Sequence, residues 1–202
     1  MRIKNIVFDV GNVFVTWDPY AVFLKYFKNK EEIDAFFKEI NFEKMILDMD
    51  KGVTFAECIG EAVEKFPQYQ TPLRAYDREW IDSITGEVAG TYDMMTALEA
   101  AGYQIYGLSN FAREKFDVCA AQYPFANHFK GLVVSSDVGE IKPDEKIYKI
   151  LIEKYNIKPE ESVFLDDRAD NIETAKKLGF KTVLFTTAEA AEKELKNMDV
   201  IK

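Results

Sequence analysis

A parallel sheet covered by helices on both faces, interrupted near its start by a helical insertion, is the architecture predicted for this 202-residue chain. Three observations lead there. From Thr91 onward, short apolar runs alternate with helical patterns, as expected of a parallel α/β core. About ninety residues separate the first strand from the next parallel-type strand, far more than a crossover helix needs, so structure must lie between them. Three apolar runs, Ile6 to Phe14, Ile105 to Asn110 and Val163 to Asn171, carry polar residues where a strand hands over to a loop. In open parallel sheets, ligands collect beyond those strand ends.

The elements follow in order. The first strand spans roughly Ile3 to Phe8. Asp18-Pro19 reads as an N-cap followed by proline at the first helical position, and Tyr20, Phe23, Leu24 and Phe27 then recur at helical spacing. Ile33, Phe36, Phe37 and Ile40 repeat the pattern. Thr54 with Glu57 forms a capping box opening a helix to about Phe66, and Thr71-Pro72 opens another through about Ser83. The aromatic stripes are read as the core of a small bundle. Beyond it, a helix from Thr91 to Ala101 closed by Gly102 precedes the strand Gln104 to Leu108, and a helix from Arg113 to Gln122 follows. A strand at Leu132 to Ser135, a helix opening at Pro143, the Val163 strand, a helix from Asp170 to Leu178 and a strand at Thr182 to Phe185 complete the series. The predicted fold is a Rossmann-like parallel sheet core over residues 1–15 and 88–202, with an inserted four-helix cap over 16–87.

A hydrophobic content of 48% and a charged content of 30% describe an ordinary globular protein. A formal charge of -9 disfavours a general nucleic-acid binder, which needs a cationic surface. The apolar stretch before Asp9 is too short for a signal peptide or a membrane span, and a cytoplasmic protein without a membrane partner is expected. Cys58 and Cys119 lack metal-ligand spacing and read as buried thiols.

Carboxylates beside a buried strand end are costly unless a cation or hydrogen-bond donors meet them. Asp9 ends the first strand before Gly11-Asn12, a pair suited to a tight turn, and could act as a nucleophile or merely terminate the strand. Ser109-Asn110 offers a hydroxyl, an amide and main-chain N–H groups to phosphate oxygens, though such a pair is also ordinary turn chemistry. Lys142, just before Pro143, supplies a cation for a nucleophile and an incoming phosphate, or is a solvated surface lysine. Asp166-Asp167 is the sharpest signal, because adjacent carboxylates repel and Mg²⁺ relieves the conflict.

The order and placement of FDVGNV, LSN, IKPD and FLDDRADN resemble the haloacid dehalogenase superfamily, in the branch whose helical cap follows the first motif. That branch includes sugar phosphatases, hexose-1-phosphate phosphatases among them, and the phosphatase domain of bifunctional epoxide hydrolases. The resemblance implies a hydrolase acting on a small phosphorylated metabolite through an aspartyl-phosphate. It implies Asp9 as nucleophile, Lys142 orienting it, and Ser109 and Asn110, with Asn12, at the phosphate. It further implies Mg²⁺ held by Asp9, Asp167 and the Gly11 carbonyl, with Asp166 in support. Asn171 stands where many relatives carry a further supporting Asp.

One position departs from the usual pattern. Most phosphatases of the family have a second Asp two residues after the nucleophile as general acid and base, and this chain has Gly11. Asp18, at the hinge into the cap, is the substitute acid to test, although the N-cap is the favoured reading of it. The lone histidine, His128, is expected on the surface outside the motifs. The stretch Asp50 to Thr54 resembles the position from which related caps reach substrate, or is a simple interhelical turn; Trp17 faces the cleft or the core. Without the second Asp, a sugar-1-phosphate, whose anomeric oxygen leaves readily, is the favoured substrate. A metal-independent dehalogenase and a non-catalytic binding protein are the alternatives, and the carboxylate pair argues against both.

Overall fold

The computed structural model describes residues 2–201. Five strands form the main sheet: β1 (Asn5–Phe8), β4 (Gln104–Ser109), β5 (Gly131–Val134), β6 (Ser162–Asp166) and β7 (Lys181–Leu184). Their order is β5-β4-β1-β6-β7, every pair parallel, so β1 lies at the centre between β4 and β6. Val7 stands level with Tyr106 on one side and Phe164 on the other.

Side-chain alternation along β1 divides the core. Val7 joins Tyr106, Leu108 and Phe164 on one face, under α9 (Glu145–Tyr155) and α10 (Ala169–Lys177). Ile6 and Phe8 join Ile105, Val163 and Leu165 on the other, with α6 (Thr91–Ala100), α7 (Arg113–Gln122) and α11 (Ala188–Asn197). Both faces are dry, which is why these strands read as nearly continuous apolar runs.

Between β2 (Val15–Trp17) and β3 (Ile84–Glu87) the chain makes a helical excursion. The two strands pair antiparallel as a separate ribbon, so the insertion leaves and returns through one neck. It holds five helices rather than the expected four: α1 (Tyr20–Phe23), α2 (Lys30–Ile40), α3 (Phe42–Asp50), α4 (Phe55–Lys65) and α5 (Gln70–Arg78). The unanticipated one is α3. Only Asn41, left-handed at φ 55°, separates it from α2, so no glycine or proline marks the break. The Thr54 capping box forms as read, with Thr54 Oγ1 accepting from Glu57 N–H. The Asp18 carboxylate accepts the Tyr20 N–H at 2.9 Å. The last predicted cap helix stops at Arg78, and a 3₁₀ turn covers Trp80–Ser83.

The cap core is aromatic. Phe23 meets Phe36 at 5.2 Å and Tyr76 at 5.2 Å between ring centroids, and Phe37 stacks on Phe42 at 4.1 Å. This cluster runs without a break into the Ile6/Phe8 face of the sheet, which seats the cap firmly over the strand ends. Elsewhere, α8 (Ser135–Val138) follows β5 directly, and α9 begins at Glu145 with Asp144 capping it, not at Pro143.

Candidate active site

Asp9 lies one residue past β1, its N–H bonded to the Leu165 carbonyl at 2.9 Å. Ser109 and Asp166 are the last residues of β4 and β6. Because these strands are adjacent and parallel, all three side chains meet at one sheet edge. Lys142, from the loop between α8 and α9, is buried among them. Its Nζ lies 2.8 Å from Asp9 and 2.6 Å from Asp166, so the solvated surface role is excluded.

Asp166 is fully buried and saturated. One oxygen takes Lys142; the other accepts the Asn171 amide at 2.9 Å and the Arg168 N–H at 2.9 Å. Asp9 receives Lys142 and the Val10 N–H on a single oxygen, leaving the other free. Asp167 meets only the Asn12 amide, at 3.2 Å. Oxygens of Asp9, Asp166 and Asp167 lie within 4.8 Å of one another.

Three carboxylates against one ammonium leave a local excess of negative charge. Desolvation pushes the Asp9 carboxyl up to about 7; Lys142 pulls it down and Asp166 adds to the rise. Asp167 is also raised, by burial and then by Asp166. Burial works against the charge on Lys142, but Asp166 and Asp9 together outweigh it and raise its pKa. A hard divalent cation fits this donor set, which is all oxygen, partly unengaged and in charge excess.

The other expected site residues are engaged in different ways. Asn12 is the left-handed residue of the turn, at φ 55°, and its carboxamide holds Asp167 and the Trp17 N–H. Asn110 uses both ends of its amide on the Lys142 main chain, at 2.7 and 2.9 Å, which makes it a clasp for the lysine. Ser109 is different: its Oγ is buried with no partner, a cost of about 1–3 kcal/mol that a bound anion would remove. Gly11 is not required by the turn. Its φ is not positive and a Cβ there meets nothing within 4 Å.

Asp9, Gly11, Asn12, Asn110, Lys142, Asp167 and Asn171 line the floor of a cavity of about 890 Å³ whose roof is the cap, with Asp166 and Ser109 packed beneath them. Trp17 lines it, whereas Asp18 does not; that carboxylate serves the start of α1. The segment after α3 is more than a turn. Ser135 Oγ donates to the Asp50 carbonyl at 2.6 Å, and a Cβ on Gly52, at φ +102°, would strike the Ser136 carbonyl at 2.7 Å. Only glycine permits that approach, so the cap docks on the core here. The Asp50 side chain enters the cavity wall, and desolvation pushes its carboxyl up to about 7 against a downward pull from Lys142. Tyr76, from α5, reaches the same wall with a buried hydroxyl that has no partner. It is the residue that sequence reasoning missed, because its place in an aromatic stripe resembles every other core ring. His128 is outside the cavity but half-buried, held between Tyr92 at 2.8 Å and Glu99 at 2.7 Å.

The chain belongs to the haloacid dehalogenase-like hydrolases, whose family model matches residues 7–185. It is 38% identical to the glyceraldehyde 3-phosphate phosphatase of Pyrococcus furiosus, over 96% of this chain and 85% of that protein. It is 21% identical to a sesquiterpene phosphatase of Aspergillus oryzae, over 96% of each. A family enzyme from Bacteroides thetaiotaomicron superposes with a TM-score of 0.78 at 23% identity, over 93% of this chain and 95% of that one, and is also solved with magnesium and inorganic phosphate. Against drimenol cyclase of Aspergillus calidoustus and bifunctional epoxide hydrolase 2 of Rattus norvegicus, the matched region spans only 18% and 16% of those proteins. No helix among the described residues is long and apolar enough to cross a membrane.

Proposed function

We propose that this hydrolase is a Mg²⁺-dependent phosphomonoesterase in which Asp9 takes the phosphoryl group from a small phosphorylated metabolite. The observation that carries the reading is the meeting of Asp9, Lys142 and Asp166-Asp167 at adjacent strand ends, beside the unpartnered Ser109 hydroxyl. The free oxygen of Asp9 attacks phosphorus, a P–O bond to Asp9 forms, and the bond to the alcohol oxygen breaks. The departing oxygen takes a proton from solvent, and water then attacks phosphorus, gives up a proton to solvent, and releases phosphate with the carboxylate restored. Lys142 holds Asp9 in place and offsets its charge, while Ser109 donates to a phosphate oxygen. Asp9 and Asp167, with the Gly11 carbonyl, would hold the ion, and Asp166 would support it through Lys142 and Asn171. Bound Mg²⁺ supplies positive charge that draws the phosphate in and offsets the charge building on its oxygens.

The leaving oxygen receives no proton from position 11. General acid catalysis is typically worth about 10² to 10⁴-fold, so substrates whose alcohol departs easily are favoured. The anomeric oxygen of a sugar-1-phosphate meets that demand, as does a phenol or an enol. Relatives carrying phosphatase names act on different organic groups, glyceraldehyde 3-phosphate and a sesquiterpene phosphate among them by those names, which supports the reaction class and leaves the alcohol open. The test is phosphate release from a panel of phosphomonoesters with Mg²⁺ and with chelator. Activity confined to the Mg²⁺ samples supports the reading, and full activity in chelator overturns the metal assignment.

A further inference from the structure

We infer that the cap cavity selects a phosphomonoester whose organic part is apolar, carrying at most a polar substituent that meets Asp50 and Tyr76, rather than a sugar or polyol phosphate. This deepens the phosphatase reading and rests on it for the position of the phosphate. The cavity is continuous with the Asp9 site, so whatever is esterified to the phosphate extends into it. Above the carboxylates the wall is built from Trp17, Phe37, Phe42, Ile46, Leu47 and Phe111. Leu47 is 40% exposed, an apolar side chain held at the cavity instead of in the core.

The polar side chains along that wall are mostly committed elsewhere or open to water: Tyr20 donates to Asp34 and Arg168 pairs with Asp170. Lys115 reaches it, but its ammonium is committed to Asp77 at 2.6 Å and lies 4.3 Å over the Phe55 ring. Lys38, Asn41 and Glu43 also line the cavity, but all three are exposed. What remains at depth is the Asp50 carboxyl and the Tyr76 hydroxyl, which is fully buried, faces the Trp17 and Trp80 indole N–H groups, and makes no hydrogen bond of good geometry with either. A sugar carries a hydroxyl on nearly every carbon, and each one stripped of water needs a partner. Two groups cannot serve them. An apolar body with one hydrogen-bonding substituent satisfies both, and a cavity of about 890 Å³ is ample for it. Combined with the absence of an acid at Gly11, the wall favours a phosphate on a phenol or enol oxygen.

The test uses 4-methyl-, 4-butyl- and 4-octylphenyl phosphate, which share a leaving-group acidity and differ only in the tail, beside glucose-1-phosphate and a pentitol 5-phosphate. The expected result is a kcat/KM that rises by about fourfold per added methylene until the cavity is filled, with the sugar phosphates at least tenfold below the octyl compound. Leu47→Glu, at an exposed position, is expected to lower the ratio of octyl to methyl kcat/KM at least tenfold. A flat response to tail length, or a sugar phosphate as the best substrate, overturns the inference while leaving the phosphatase intact. Acetyl phosphate with Mg²⁺ is the substrate without a body to select: if neither it nor any aryl phosphate is cleaved, the phosphatase reading fails. The subsite is then judged by calorimetric binding of the matching 4-alkylphenylphosphonates, where affinity independent of tail length removes it.

Discussion

The floor and the roof of the cavity are built on opposite terms. On the floor, Asp166 has a partner for each oxygen, Lys142 is shared between two carboxylates, and Asn12 and Asn110 hold neighbouring groups in place. On the roof, aromatic and aliphatic side chains surround a Tyr76 hydroxyl with no partner and a desolvated Asp50. A saturated network cannot move without exposing charge, so it suits chemistry that needs atoms held within fractions of an ångström. An apolar wall with unmet polar atoms is completed by a ligand. On the proposed reading the two walls separate reaction from selection, and substitutions on each are expected to fail differently.

The largest effect is expected on the floor. Asp9→Asn keeps the shape but cannot carry the phosphoryl group, and kcat should fall by about 10⁴-fold or more with folding unchanged. Phosphate release and thermal unfolding check both halves. A purified variant with substantial turnover removes the covalent mechanism.

The paired carboxylates sharpen the comparison within the floor itself. Asp167→Ala should lose activity by about 10²-fold or more with little change in stability, because its side chain meets only Asn12. Asp166→Ala should lose activity and also about 1–3 kcal/mol of stability, since it orphans the buried Asn171 amide and leaves Lys142 with Asp9 alone. Denaturant unfolding of both variants separates the cases; equal stability loss would mean that the network is not centred on Asp166.

Gly11 lies between the two walls. The open space around its Cβ and its ordinary backbone predict that Gly11→Asp folds normally. The added acid should raise kcat for poor leaving groups such as alkyl phosphates by about 10-fold to 10²-fold, with little gain for phenyl phosphates. Uniform gains across leaving groups would show that position 11 does not reach the departing oxygen.

The smallest effect belongs to the roof. Asp50 holds its proton up to about 7 in the folded protein against an ordinary 3.8, so the folded state binds more protons between those values. Stability from this group is therefore lost as pH rises from about 4 to about 7. Asp50→Asn should stabilise the protein at pH 8 relative to pH 4 by roughly 1–2 kcal/mol compared with the parent, after allowance for solvent screening. A pH-independent difference would place the carboxyl in water.

Much of the floor was legible in the chain. Asp9, Ser109 and Asp166 each close an apolar run, and local pattern plus the rule for parallel sheets brings them together. Other elements were not. The α3 helix hides behind the left-handed Asn41, α11 buries mainly Ala188, Ala191 and Leu195, a weak stripe, and the β2-β3 ribbon pairs residues some seventy positions apart. Within the Gly11-Asn12 turn the positive φ falls on Asn12, a residue that tolerates it.

Read alone, the chain marks the candidate groups: Asp9 and the Asp166-Asp167 pair stand out because charge beside buried strand ends is expensive, with Ser109 and Lys142 as the polar residues of neighbouring segments. Which oxygens are engaged, with Asp166 saturated and Asp9 and Asp167 left open, came only with the fold, as did the hydrogen bonds of Asn12 to Asp167 and of Asn110 to the Lys142 main chain. So did the apolar roof. Trp17, Phe37, Leu47, Tyr76 and Phe111 come from separate segments whose aromatic spacing is the same whether a ring faces a core or a cavity. Periodicity records which side of a helix avoids water, and only packing decides whether protein or a ligand covers it.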